Sequence, residues 1–316
     1  MNLKVDHELI LLIAGVFCIL ALAHGISRGM RTRLDPSGSG AFYQNLMARI
    51  YAWWAMACVL AAALLFGKTM TLLIFAVISF QALREFLTMT PTRAGDHRAL
   101  CWSFFFILPA QYVAIWLDLE VMSWIFIPVF AFIFLPVRAA LSEDTVDFLA
   151  RTAKTQWGLM ICVYFVSHGP ALLLIDIPGY EGENMKLLFF MILIVQLSDV
   201  LQYVWGKSIG KTPISRELSP NKTVEGLIGG IASTSVVGGL LWWGTPFSPL
   251  AAWAISIVLC IMGFLGGLVM SAIKRDNGIK DYGAIIPGHG GMMDRIDSLC
   301  FAAPVFYRVI LFYYGA

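Results

Sequence analysis

Residues 250–270 read LAAWAISIVLCIMGFLGGLVM, an unbroken run without one charged side chain. About 20 such residues are what a helix needs to cross the ~30 Å hydrocarbon core of a bilayer. Lipid offers backbone N–H and C=O groups no partner, so a run of this kind has to satisfy them internally as a helix. The run ends on Lys274 and Arg275, cations suited to a membrane surface. Comparable apolar runs occupy Leu9–Ser27, Ile50–Gly67, Met70–Leu87, Leu100–Leu117, Val121–Leu141, Trp157–Ile175, Leu187–Trp205, Leu227–Gly244 and Leu299–Tyr314. The fold class expected is therefore all-α: a polytopic integral membrane protein of about ten transmembrane helices. The second and third runs are so close that they form a tight helical hairpin.

Composition agrees. Of 316 residues, 59% are hydrophobic and 13% charged, against about 25% charged in soluble domains. A water-soluble globular domain is excluded. The formal net charge of +2 says little; the distribution of charge says more. With the N-terminus outside and helices alternating, one set of connections carries Arg28, Arg31, Arg33 and Arg49, then Arg84, Arg93 and Arg98. Arg138, Arg151 and Lys154 follow, then Lys207, Lys211, Arg216 and Lys222, and finally Lys274, Arg275, Lys280 and Arg295. The other set keeps Lys4, Lys68 and Lys186 and includes acidic pairs such as Asp118/Glu120 and Glu181/Glu183. The positive-inside rule assigns the basic set to the cytoplasm. The run Leu9–Ser27 is followed by arginines rather than a small-residue cleavage site and is read as a retained helix. All six cysteines lie in apolar runs, without metal-ligand spacing, and are expected as packing residues without disulfides.

The two longest polar stretches of the second half, 207–225 and 271–297, fall in the basic connections. The second reads SAIKRDNGIKDYGAIIPGHGGMMDRIDS to Ser298. Its glycines allow close approach of backbone N–H groups to an anion. Asp294 and Asp297 share one face where the last helix begins, and paired carboxylates beside a Gly-rich loop suit Mg²⁺ with substrate phosphates. Asp199 is expected some six residues inside its helix end, about 9 Å deep; a carboxylate at such depth is a functional candidate by default. Gln196 and Tyr203 extend its polar face. Ser219-Pro220 is read as an N-cap and N1 pair opening a helix, with Lys222 beside a phosphate-binding N-terminus. His24 and His168 are read as packing residues, Arg84-Glu85 as a helix end, and Arg308 as either snorkelling or internally paired.

The order S-x-x-K-R-x4-K-D-x-G-x2-I-P-G-H-G-G-x2-D-R-x-D resembles the signature of phosphatidate cytidylyltransferases, also called CDP-diacylglycerol synthases. It is met by Ser271, Lys274, Arg275, Lys280, Asp281, Gly283, Pro287, His289, Gly290, Gly291, Asp294, Arg295 and Asp297. A second resemblance covers Asp199, Gly206-Lys207 and the stretch Ser219-Pro220-Asn221-Lys222-Thr223-Val224-Glu225-Gly226, with Val224 where many relatives carry an aromatic residue. The likeness spans the last 120 residues or so, and the first 180 match only as apolar spans. One membrane domain over 1–316 is expected, with N-terminal helices over 1–186 and a catalytic half over 187–316.

The resemblance implies attack of a phosphatidic acid phosphate on the α-phosphorus of CTP, with release of pyrophosphate. It implies Asp281, Asp294, Asp297 and Asp199 as Mg²⁺ ligands, a second cation being left open. Lys280, Arg295 and His289 join the reacting centre, and Ser219, Asn221, Lys222, Thr223, Glu225, Lys274, Arg275, Gly290 and Gly291 join substrate binding. The partners implied are CTP, phosphatidic acid and the lipid bilayer, with no nucleic acid and with a homodimer left open; the location implied is the cell inner membrane, with the site facing the cytoplasm. A CTP-dependent nucleotidyltransferase or kinase acting on another lipid phosphate or alcohol is the nearest alternative. A CDP-alcohol phosphatidyltransferase is disfavoured because no Asp-Gly pair occurs. A transporter would place its site near the midplane of repeated halves, whereas no repeat is seen and the charges lie at the rim.

Overall fold

The computed structural model of the protein describes residues 6–34, 41–89, 92–283 and 290–315. Nine helices among them are long and apolar enough to cross a membrane. In chain order they are α1 (His7–Leu34), α2 (Ala41–Leu65), α3 (Gly67–Thr88), α4 (Ala94–Trp116), α5 (Glu120–Ala140), α6 (Phe148–Leu174), α7 (Asn184–Ile209), α9 (Pro249–Asp276) and α10 (Met293–Tyr314). The remaining apolar run forms α8 (Val224–Leu240), whose 17 residues fall short of that length. The protein is thus an all-α, multi-pass membrane protein, as its apolar runs predict.

One element departs from the helical reading. Strands β1 (Pro213–Ser215) and β2 (Ser219–Thr223) pair antiparallel, with Pro213 opposite Thr223 and Ser215 opposite Ser219. Ser219-Pro220 therefore does not open a helix. A two-stranded ribbon has a free edge on each strand, where a proline forfeits no ladder bond. The helix starts five residues later, where the Thr223 side chain accepts a hydrogen bond from the Gly226 N–H at 3.1 Å, the ordinary N-cap arrangement.

Polar contacts gather at two ends of the bundle. At one end Lys68 pairs with Asp118 (2.7 Å), and Lys186 meets Glu183 (2.7 Å), Asp6 (2.9 Å) and Glu8. The Tyr180 hydroxyl donates to the Gly244 carbonyl there, and the Tyr314 hydroxyl to that of Pro246. At the other end Arg151, its side chain only 8% exposed, pairs with Asp96 (3.0 Å) and Asp144 (3.3 Å), and Arg93 holds Asp144 at 2.7 Å. The described connections that make these contacts thus fall alternately at the two ends.

Helix α7 forms the centre, burying Leu187, Leu188, Phe189, Phe190, Met191, Ile194 and Val195. By contrast only 6% of the hydrophobic window of α1 is buried in the protein, so this helix lies at the periphery. Helices α4, α5 and α6 each contain a widened, π-type turn, at Ser103–Ile107, Phe126–Ala131 and Met160–Phe165. Pro128 lies inside one; Pro109 and Pro170 follow the others within five residues. A proline supplies no N–H and crowds the preceding turn, and a wide turn relieves that crowding.

Helices α7 and α8 meet backbone to backbone through glycines. A Cβ added at Gly226 would lie 2.8 Å from the Gln202 carbonyl and 3.0 Å from Gly206 Cα, and one at Gly230 would lie 2.8 Å from the Gln202 nitrogen. Small residues four apart are what close helix packing in lipid uses. We expect Gly226→Val to separate the pair, lowering the melting temperature of the detergent-purified protein by several degrees, since overpacking costs about 1–3 kcal/mol. Thermal-shift measurements against wild type check this.

Candidate active site

At the end that carries Arg93 and Arg151, five elements converge: the last turn of α3, the ends of α7 and α9, the β1–β2 ribbon with the start of α8, and the start of α10. Helix α9 is notched by Gly263, Gly266 and Gly267, and α10 sits in the notch. A Cβ at Gly266 would lie 2.6 Å from the Asp297 carbonyl, and one at Gly263 would lie 3.5 Å from Ser298 Cβ. The notch also admits Lys222 from the ribbon. A Cβ at Gly267 would lie 2.7 Å from its Nζ and 3.9 Å from Asp297 Oδ2, and Nζ stands 5.1 Å from the centre of the Phe264 ring.

Asp297 is therefore seated between α9 and α10 with the Lys222 ammonium beside it. Its Oδ1 accepts the Ser298 N–H at 2.8 Å. Asp199 of α7 lies near enough to feel the charge of Asp297, and both feel the charges of Lys222 and Arg295. Helix α7 runs on to Ile209, so Asp199 lies ten residues from its end, about 15 Å at 1.5 Å per residue, deeper than the apolar run alone suggests. Gln196, one turn back, donates to the Arg295 carbonyl at 3.3 Å, whereas Tyr203 points outward.

Asp294 does something different. It is buried; Oδ1 accepts from Lys274 Nζ at 2.9 Å, and Oδ2 accepts the N–H groups of Tyr282 (2.9 Å) and Gly291 (3.0 Å). One carboxylate thus clasps the chain on both sides of residues 284–289. Gly290, at φ +83°, makes the left-handed turn the clasp needs, and a Cβ there would lie 2.7 Å from Asp294 Oδ2. Tyr282 packs under the clasp, stacked on Phe86 at 6.2 Å, with its phenol pushed above the ordinary range by burial.

Glu85 is the residue the sequence reading missed. It lies in the last turn of α3, buried, and its two carboxylate oxygens accept the N–H groups of Met292 (2.9 Å) and Met293 (2.8 Å). It caps the start of α10 from 207 residues away in sequence. Gly283 and Gly291 crowd it, and a Cβ on either would press on its carboxylate. A buried carboxylate three residues before a helix end was the one local signal.

The other predicted residues are placed as follows. Glu225 accepts hydrogen bonds from Lys211 N (3.0 Å), Thr212 N (3.1 Å) and the Thr212 hydroxyl (2.9 Å), fixing the turn that follows α7. Arg275 reaches the Leu218 carbonyl at 3.5 Å and so braces the ribbon turn. Ser271 bonds back to the Gly267 carbonyl within α9. Lys280, Asp281 and Asn221 are exposed, and Asp281 Cβ would stand 3.5 Å from a Cβ on Gly290. Ser219 is half-buried in β2. His289 lies outside the described residues.

Among the described residues the four predicted metal ligands do not converge as three carboxylates within 4.8 Å; the group that does is Asp6, Glu8 and Glu183, around Lys186 at the opposite end. The donors that fit a divalent cation are Asp199 and Asp297, two carboxylates on facing helices with cations beside them. That suits Mg²⁺, which takes one or two carboxylates and completes its octahedron with water and phosphate oxygens.

The sequence profile described as the cytidylyltransferase family matches residues 47–313. An Escherichia coli (strain K12) protein described as uncharacterized, YnbB, is 36% identical over 302 residues, covering 94% of this chain and 97% of that one. A phosphatidate cytidylyltransferase of Staphylococcus saprophyticus is 40% identical over 128 residues in the C-terminal part, 40% of this chain and 49% of that one. One from Staphylococcus haemolyticus is 38% identical over the same length.

Proposed function

Because the chain belongs to the cytidylyltransferase family, we propose that it transfers CMP from CTP to phosphatidic acid, giving CDP-diacylglycerol and pyrophosphate. The observation that carries this reading is the Asp199–Asp297 pair, set into the membrane end of a site rimmed by Lys222 and Arg295. A carboxylate pair among cations is what joins two polyanions: one face holds a metal, the other holds phosphate.

The chemistry needs little from the protein beyond placement. A phosphomonoester has a second pKa near ~6, so the acceptor oxygen is already anionic at neutral pH and no general base is required. That oxygen forms a bond to the α-phosphorus of CTP as the bond from the α-phosphorus to the bridging oxygen breaks, and pyrophosphate leaves with the electron pair. Asp199 and Asp297 would hold a divalent cation, which would supply charge neutralisation to the triphosphate. Lys222, pressed into the α9 notch, is fixed beside that position and holds a phosphate oxygen. Arg295 flanks the same carboxylates and suits a second phosphate. Lys274 is consumed by Asp294, so its task is to shape the clasped loop, and Asp294 acts on the loop as well. Lys280, exposed beside that loop, meets the outer phosphates. The lipid enters sideways from the bilayer and CTP from the aqueous end, a reading in which the basic connections support a cytoplasmic side.

The expected result is direct. Purified protein given CTP labelled in the cytidine and phosphatidic acid in mixed micelles moves label into chloroform-extractable lipid, in step with pyrophosphate and only with Mg²⁺ present. Pyrophosphate release without lipid-bound label, or label transfer only to another lipid phosphate or alcohol, would replace the acceptor. Solute flux without turnover would point to a transporter.

A further inference from the structure

We propose that the groove between α6, α9 and α10, remote from the aspartates, binds an anionic phospholipid, with Arg308 taking its phosphate and the groove wall taking an acyl chain. The groove is open to its surroundings, measures about 540 Å³ and is lined by Phe165, Met262, Phe301, Val305, Arg308 and Phe312, among others. Its wall is almost wholly apolar, and the exposed Arg308 stands at its rim. Its volume lies in the roughly 300–1,000 Å³ range of small-molecule sites.

Arg308 is held rather than loose. Its guanidinium lies over the Trp124 ring at 4.3 Å and near Tyr307 at 5.9 Å. Trp124 Nε1 donates to the Tyr307 hydroxyl (3.3 Å), which in turn donates to Glu120 (3.4 Å). The nearby carboxylate is therefore met by Tyr307, and none of the ion pairs among the described residues includes Arg308. A cation at the edge of an apolar wall without a carboxylate is costly unless an anion completes it.

Depth decides which anion. Arg308 follows Asp297 by eleven residues, about 16 Å along α10, so a phosphate held at Asp297 cannot also reach it. Trp124 stands four residues from the start of α5, about 6 Å inside that end. Trp124 and the exposed Tyr313 are amphipathic rings of the kind found at headgroup level, on either side of Arg308. A phospholipid in the leaflet at that end would meet Arg308 with its phosphate and run one chain inward past Val305 and Phe301.

The test reads bound lipid by native mass spectrometry, without CTP, so that it is independent of turnover. Wild-type protein is delipidated in detergent, then given phosphatidylglycerol or phosphatidylcholine at equal concentration. We expect wild type to retain at least ten-fold more phosphatidylglycerol than phosphatidylcholine, and Arg308→Gln to lose that preference. Val305→Trp, which fills the groove and leaves the guanidinium in place, should lose retention as well; it tests the site should Arg308→Gln fail to fold. Equal retention of the two lipids by wild type, or an unchanged preference in a folded Arg308→Gln, means annular lipid only and overturns the proposal. A wild-type dimer that Val305→Trp converts to monomer also overturns it, by assigning the groove to a second copy of the chain.

Discussion

Asp297→Asn is expected to lower turnover of CTP with phosphatidic acid by roughly 10³-fold, the scale of losing one electrostatic stabiliser of a transition state, while the protein stays folded. The two halves of this expectation have separate causes. Turnover falls because the amide cannot supply the negative charge that a divalent cation needs between Asp297 and Asp199. Stability holds because the amide keeps the carboxylate's shape, and the lost attraction of Lys274, Lys222 and Arg295 is offset by removal of a charge that Asp199 feels. The Ser298 N–H, which Oδ1 accepts at 2.8 Å, keeps an acceptor in the amide oxygen. Radiolabel transfer and a thermal melt, run on the same preparation, check both. Turnover near wild type would remove Asp297 from the reacting centre. Asp294→Asn should also lose activity, but with a lowered melting temperature, because Asp294 accepts from Lys274 and from two backbone N–H groups.

Glu85→Ala is expected to be the most damaging change outside the aspartates. It leaves the Met292 and Met293 N–H groups without partners, a loss of about 1–3 kcal/mol for each buried group left unsatisfied. It also removes a carboxylate from the positive end of a 22-residue helix. That helix carries Asp294, Arg295 and Asp297 in its first turns, so any shift at its start is transmitted to all three. A displacement of about 1 Å costs on the order of 10²-fold in rate. Glu85→Gln keeps a carbonyl oxygen to accept one of the two N–H groups and should recover part of both stability and kcat. Comparing kcat and melting temperature across Ala, Gln and wild type checks the idea. An alanine variant with wild-type kcat would mean that the cap does not position the site.

The membrane spans were legible because each is a local property: length and apolarity suffice, although the structure extends some ends by as much as about two and a half turns, as at the starts of α2 and α6. Asp199 and Lys222 could likewise be singled out, since a carboxylate deep in an apolar run and a lysine in a polar connection are visible one at a time. Pairwise facts were not. Asp294 and Asp297 look equivalent at a spacing of three, yet one is spent on Lys274 and the loop backbone, and the other faces Asp199. Ser219-Pro220 carries the local mark of a helix start, but its pairing with β1 is set by a neighbour and overrides that mark. Glu85 is the extreme case, because its meaning depends on two methionine N–H groups more than 200 residues away.

The pairing of Lys186 with Asp6 and Glu8 has a consequence for how the protein is made. Helix α1 is barely covered by the rest of the bundle, and its ionic clip to α7 joins residues 178 apart. At about 5–20 residues per second of synthesis, α1 waits roughly 10–40 seconds in the bilayer before its partner lysine exists. Through that interval its mostly apolar surface is in contact with lipid or with the insertion machinery, and two carboxylates at its start stand unneutralised. Burial of Lys186 therefore comes well after α1 is made, and fastens that helix to the central one.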